Sequence, residues 1–128
     1  MTDARINAPS EQVEQMALMR WAEYEKGAHP ELKLLMHIPN GGSRTKAEAG
    51  RFKAMGVKPG VPDLFLPVAR GVYHGLWIEL KRADGGKTQA AQRGWIDALK
   101  AQGYMAGVCH GWVEASETIM KYLNLPKG

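Results

Sequence analysis

The chain has 128 residues, 45% of them hydrophobic and 23% charged, with one cysteine and a net charge of +4. That balance belongs to an ordinary globular domain and excludes disordered, collagenous and disulfide-stapled classes. No apolar run approaches the ~20 residues of a membrane span, and the first residues lack the apolar stretch of a secretory signal. The lone thiol, Cys109, has no metal-ligand spacing around it, so a cytoplasmic setting is expected.

In chain order, residues 1–9 read as a loose arm, and Ser10 after Pro9 as the N-cap of a helix running to about Lys26, where Gly27 stops it. On its wheel Gln12, Arg20 and Glu23 form a polar arc. Glu11, Glu14 and Gln15 lie away from that arc, among Val13, Ala17, Leu18, Trp21 and Ala22. Leu32–Ile38 reads as a short buried strand stopped by Pro39-Asn40-Gly41-Gly42. Ser43 is the expected cap of a second helix reaching Met55, with Gly56 past its end. Val61–Val68 and Gly75–Lys81 read as two strands joined by a loop around Gly71. Thr88–Gln102 is an amphipathic helix with Ala91, Trp95, Ala98 and Leu99 on its apolar side. A strand over Tyr104–Cys109 and a helix over about Val113–Leu123 complete the order α-β-α-β-β-α-β-α. Interleaved strands and helices predict an α/β domain, a central mixed β-sheet flanked by helices, spanning residues 1–128 with its core at about 10–123.

Charge is unevenly spread. Residues 41–60 carry five basic side chains (Arg44, Lys46, Arg51, Lys53 and Lys58) against Glu48 alone, whereas residues 1–40 are net acidic. Such a cluster suits a polyanion such as nucleic acid, and equally a solvated helix face.

The two strands around Gly71 are too close in sequence for a crossover, so they form an antiparallel hairpin. A turn centred on Gly71 makes paired residue numbers sum to 142 and sets Asp63 opposite Glu79. Alternation then puts Glu79 and Lys81 on the face of Trp77, and Leu76, Ile78 and Leu80 on the core face. E-x-K on a strand is by itself most often a surface ion pair. Two neighbouring carboxylates repel, a lysine relieves part of that, and a hard divalent cation such as Mg²⁺ or Mn²⁺ relieves more. Carboxylate pair, metal, lysine and nearby basic cluster are the parts of a phosphodiester hydrolase.

VPDLFL followed by a hairpin and IELK resembles the PD-(D/E)XK (restriction-endonuclease-like) superfamily. SEQVEQ at 10–15, HIPNGGSR at 37–44, MGVKPGVPDLFLP at 55–67, YHGLWIELKR at 73–82 and QRGWIDAL at 92–99 narrow the resemblance to its VRR-NUC (virus-type replication-repair nuclease) family. The small stand-alone phage and prophage members are the most similar. This resemblance implies a Mg²⁺- or Mn²⁺-dependent DNA endonuclease. Asp63, Glu79 and the backbone carbonyl of Leu80 would be metal ligands, Lys81 the catalytic lysine, and Glu11 the helix glutamate completing a catalytic set of Glu11, Asp63, Glu79 and Lys81. Glu14, nearer the centre of the apolar side, is the rival of Glu11. Gln15, one turn from Glu11, and Gln92 are supporting residues, and the basic residues of 41–60 would bind DNA. The implied substrate is branched DNA, above all the four-way junction, whose two-fold symmetry calls for a homodimer. Flap and plain duplex DNA remain alternatives, as does a non-catalytic DNA-binding module. His37 and His74 lie near the motifs and are further candidates for approaching substrate, and Trp77 for touching a nucleotide.

Overall fold

The computed structural model describes residues 9–39 and 45–127. Residues 1–8 of the arm expected over 1–9, residues 40–42 of the stop expected over 39–42, the Ser43 cap and Arg44 lie outside the described residues.

Helix α1 (Glu11–Glu25) starts as expected, with the Ser10 hydroxyl accepting from the Val13 N–H. Its buried stripe is Glu14, Leu18 and Ala22, at the i, i+4, i+8 spacing of one helical face. Val13 falls outside the stripe and is exposed.

The strand expected over Leu32–Ile38 is mostly absent. Pro30, with its fixed φ, opens a 3-10 turn over Pro30–Leu34, and the buried leucines Leu32 and Leu35 are three apart, a helical rather than a strand spacing. Only β1 (Met36–His37) remains extended, and Pro39 follows closely. Helix α2 (Lys46–Ala54) is capped by the Thr45 hydroxyl, which accepts from Glu48 N. Strand β2 covers Leu64–Leu66, not Val61–Val68, because Pro62 and Pro67 have no N–H to give the ladder. Then come β3 (Leu76–Lys81), α3 (Ala90–Ala101), β4 (Met105–His110) and α4 (Trp112–Leu123).

The sheet runs β1-β2-β3-β4, the first two pairings antiparallel and β3·β4 parallel with α3 as the crossover. This is the mixed, helix-flanked α/β sheet of the PD-(D/E)XK arrangement. The β2·β3 register is Leu64↔Ile78, Phe65↔Trp77 and Leu66↔Leu76, the sum of 142 expected from a turn at Gly71. One sheet face carries Leu64, Leu66, Leu76, Ile78, Leu80 and Cys109 into the main core, against Leu18 of α1 and Ala115, Ile119 and Tyr122 of α4. The other face lies under α3. There the expected apolar side of α3 is displaced: Ile96 is the buried residue, Trp95 and Leu99 are half-buried, and Ala91 and Ala98 are exposed.

Arg70, in what reads from sequence as a plain loop, is buried. Its guanidinium donates to the carbonyls of Ala69 (2.8 Å) and Leu123 (3.2 Å) and to Glu31 Oε2 (2.6 Å), tying the hairpin end to α4 and the 3-10 turn. Among the described residues no helix is long and apolar enough to cross a membrane.

Candidate active site

The β2 ladder ends at Leu64, and Asp63 continues it with its side chain: Oδ2 accepts from the Leu80 N–H at 2.8 Å. That bond holds the carboxylate at the end of the hairpin where β3 turns Glu79 and Lys81 toward α3. β3 is the strand between β2 and β4, so both side chains are almost fully buried, at 2% and 5% exposure.

Gln92, in the first turn of α3, joins the two. Its Oε1 accepts from Lys81 Nζ (2.8 Å) and from Gln89 N (3.0 Å), and its Nε2 donates to Glu79 Oε2 (2.9 Å). Capping the helix start thus fixes the amide orientation, and the amide holds Lys81 Nζ 3.5 Å from Glu79 Oε2. Glu79 Oε1 is buried with no hydrogen-bond partner among the described residues.

Burial, with the Asp63 charge beside it, pushes the Glu79 carboxyl up to about 7 despite the opposing effect of Lys81. An orphaned carboxylate oxygen next to a second carboxylate is an arrangement that a divalent cation would relieve. Among the described residues no three His, Cys, Asp or Glu side chains form a group that could hold a metal. The two-carboxylate set nonetheless fits Mg²⁺, which is commonly bound by one or two carboxylates and keeps several waters.

An open cleft of about 450 Å³ lies over this end of the hairpin, lined by Glu11, Gln12, Gln15, His37, Asp63 and Leu80, with Met16 at its edge. The expected helix residues Glu11 and Gln15 therefore stand on the same cleft as Asp63. Gln12, placed by its wheel on the polar arc, lines the cleft as well, because the cleft spans more than one side of the helix. Glu14 does not line it. Its carboxylate is buried and Oε1 accepts from Trp112 N at 2.9 Å, at the start of α4, where the helix dipole favours an anion.

His37 Nδ1 donates to the Asp63 carbonyl (3.0 Å), which leaves Nε2 for other partners. His74 is elsewhere, against Gly103 and edge-on to Tyr104. Trp77 is in a packed aromatic cluster, stacked on Phe65 at 4.1 Å and edge-on to Tyr104. Lys46, Arg51, Lys53 and Lys58 are all exposed on α2 and its exit. No residue of α2 is buried. The excursion carrying them leaves the sheet after Ile38 and returns at Asp63, and these two are joined by Ile38 N–H to Asp63 C=O at 2.7 Å. Both feet of the basic excursion are therefore at the cleft. Gln12 and Arg70 escape sequence reasoning, and only the sheet geometry reveals the bridging position of Gln92. The Gln89–Gln92 spacing of a capping box is the signal that points to the latter.

The VRR-NUC domain model matches residues 9–112, a stretch containing Glu11, Asp63, Glu79, Lys81 and Gln92. A solved structure described as a VRR_NUC domain protein is similar to this chain with a TM-score of 0.82 and 34% sequence identity, covering 94% of this chain and 93% of that one. No curated protein matches the chain. With a family model spanning most of the chain and a solved relative alike over nearly all of it, the chain belongs to the VRR-NUC family, nucleases of the PD-(D/E)XK type.

Proposed function

We propose that this protein is a Mg²⁺- or Mn²⁺-dependent DNA endonuclease acting on branched DNA as a homodimer. The observation that carries the reading is the Asp63–Glu79–Lys81–Gln92 cluster, in which Asp63 lines an open cleft and a buried Glu79 oxygen has no partner among the described residues. Asp63 and Glu79, with the Leu80 carbonyl, would hold the metal. Once bound, the metal supplies Lewis-acid charge to the scissile phosphate. Lys81 has three donors, of which Gln92 takes one and Glu79 attracts a second; the third is available to orient water or a phosphate oxygen. Glu11 would complete the acidic site with Gln15 in support, both lining the same cleft as Asp63. Lys46, Arg51, Lys53, Lys58 and Arg44 bind the DNA backbone. One chain offers one such cluster, so symmetric cutting of a two-fold symmetric junction takes two chains.

Incubation of the purified protein with junction, flap and duplex oligonucleotides, with Mg²⁺, with Mn²⁺ and with EDTA, tests this reading. Cleavage with metal and binding without cleavage in EDTA is the expected result. Binding unaffected by metal and no cleavage of any substrate assigns a DNA-binding module instead.

Metal binding should depend on pH through Glu79. Its carboxyl is raised to about 7, so between the unfolded value of 4.5 and about 7 the folded chain holds a proton the unfolded chain has lost. This contribution to stability is fully present below pH 4.5 and is lost as pH rises through about 7 in metal-free protein. A divalent cation needs the deprotonated form, so its affinity falls about tenfold per pH unit below 7, with release of one proton on binding. Calorimetry in buffers of different ionisation enthalpy measures both; a metal affinity flat from pH 5 to 7 contradicts the assignment.

Charge reversal at Arg51 and Lys53 should weaken DNA binding and flatten its salt dependence by about 0.9 for each phosphate of B-form DNA no longer neutralised. Anisotropy titrations from low to high salt read this slope, and an unchanged slope makes α2 a solvated face only.

A further inference from the structure

Four tryptophans are present, and three have structural employment. Trp21 and Trp112 pack on the main core, and Trp77 stacks on Phe65. Trp95 does neither. It is half-buried on α3, three residues after Gln92, and among the described residues no aromatic ring lies against it.

Instead Trp95 lines two grooves. One, of about 400 Å³, is formed with Ile38, Met55, Val57, Lys58 and Val61. The other, of about 300 Å³, is formed with Pro59 and the small residues Ala91, Gly94 and Ala98. Each has the volume of a small-ligand site. The described lining residues include no acid, and Lys58 is a cation at the rim. Residues 45–61 carry four basic side chains against one acidic. The larger groove and the cleft draw on the same two chain segments: His37 and Asp63 line the cleft, Ile38 and Val61 line the groove, and the Ile38 N–H to Asp63 C=O bond joins the segments. The excursion is held there by Gly60, at φ +90°, where a Cβ would come within 2.6 Å of the Ala91 backbone. A flat apolar ring between a basic segment and a cleft for phosphate is the arrangement that takes a base by stacking while lysines hold its backbone.

We propose that Trp95 is a stacking platform for an unpaired nucleobase of the strand whose phosphate occupies the neighbouring cleft. The proposal rests on the DNA-nuclease reading and specifies what the protein senses in a branched substrate, a base free of its partner. Trp95 is a binding residue here and takes no part in the chemistry.

The test compares wild type, Trp95→Leu and Trp95→Phe in EDTA, so that no strand is cut. The probes are a blunt duplex and the same duplex with a short single-stranded tail. Trp95→Leu should lose about 5- to 140-fold in affinity for the tailed duplex, the range of one base–aromatic stack, and nothing for the blunt one, while Trp95→Phe keeps most of the preference. A tail containing 2-aminopurine should be quenched by wild type and not by Trp95→Leu. The wild-type quench stands as a test even if Trp95→Leu misfolds. Equal losses on both probes, no loss on either, or no 2-aminopurine quenching by wild type overturns the proposal. Wild type that cuts DNA with metal but shows these negative results sinks the stacking role alone; wild type that neither binds nor cuts DNA sinks both readings.

Discussion

Asp63→Asn should abolish cleavage and the response to metal while leaving the protein folded. The asparagine keeps an oxygen that can accept from the Leu80 N–H, so the end of the hairpin stays closed. What is lost is the charge. Without it the Glu79 carboxyl comes down from its raised value, since Asp63 is one of the causes that raise it, and the variant should be no less stable than wild type near neutral pH. Wild type should gain melting temperature on adding Mn²⁺, and Asp63→Asn should not. Lys81→Ala should separate the two properties that Asp63→Asn loses together, with cleavage down by at least about 10²–10³-fold, the scale of losing one preorganised charged donor, and the metal-induced melting shift retained. Lys81 is buried beside Glu79, so its removal carries a structural penalty. Protonation of Glu79 limits this to about 1–3 kcal/mol, below the roughly 3–5 kcal/mol of a broken buried pair left charged. Near wild-type turnover in either variant refutes the assignment.

The second large effect separates two glutamates three residues apart. Glu11→Gln should reduce cleavage by about 10–100-fold, the range for a residue that orients a metal's surroundings, with no change in melting temperature. Glu14→Gln should leave cleavage unchanged and lower stability by about 0.3–1 kcal/mol, since the amide oxygen still accepts from Trp112 N and only the charge facing the α4 dipole is gone. Glu14→Ala removes that acceptor too and should cost about 1–3 kcal/mol. Parallel kinetics and thermal melts check the set, and an activity loss confined to the Glu14 variants exchanges the two roles.

Much of this geometry is readable from residue order because it follows from alternation. Leu76, Ile78 and Leu80 against Glu79 and Lys81 define the two faces of β3, and a glycine-centred turn defines the register. The same arithmetic carried one residue past the ladder sets Asp63 opposite Glu79, and its carboxylate reaches the adjoining Leu80 N–H. Lengths are harder to read. LKLLMHI looks like a strand to any hydropathy window, yet its buried leucines follow the period of the 3-10 turn that Pro30 starts. The side of α3 that faces the sheet is misjudged for a related reason. Ala91 and Ala98 are small and apolar on a wheel but stay exposed, whereas Gln92 turns inward because two buried charges there need an amide. Hydrophobic pattern records the demand of a core for oil and is silent about the demand of a buried ion pair for hydrogen bonds.

The excursion between Ile38 and Asp63 also bears on how such a protein diversifies. Its ends meet in one backbone hydrogen bond, and α2 lends no residue to the core. A segment anchored this way can be lengthened, shortened or exchanged with little penalty to the sheet, since the free energy of closing a loop grows only as the logarithm of its length. The cluster proposed for hydrolysis, by contrast, is built on β3 and the first turn of α3, where its hydrogen bonds leave little room for rearrangement. On the proposed reading, substrate preference and hydrolysis would thus be carried by parts that can mutate at different rates. Grafting residues 45–56 from a relative with another DNA preference onto this scaffold is the natural route to a nuclease of altered target and conserved chemistry.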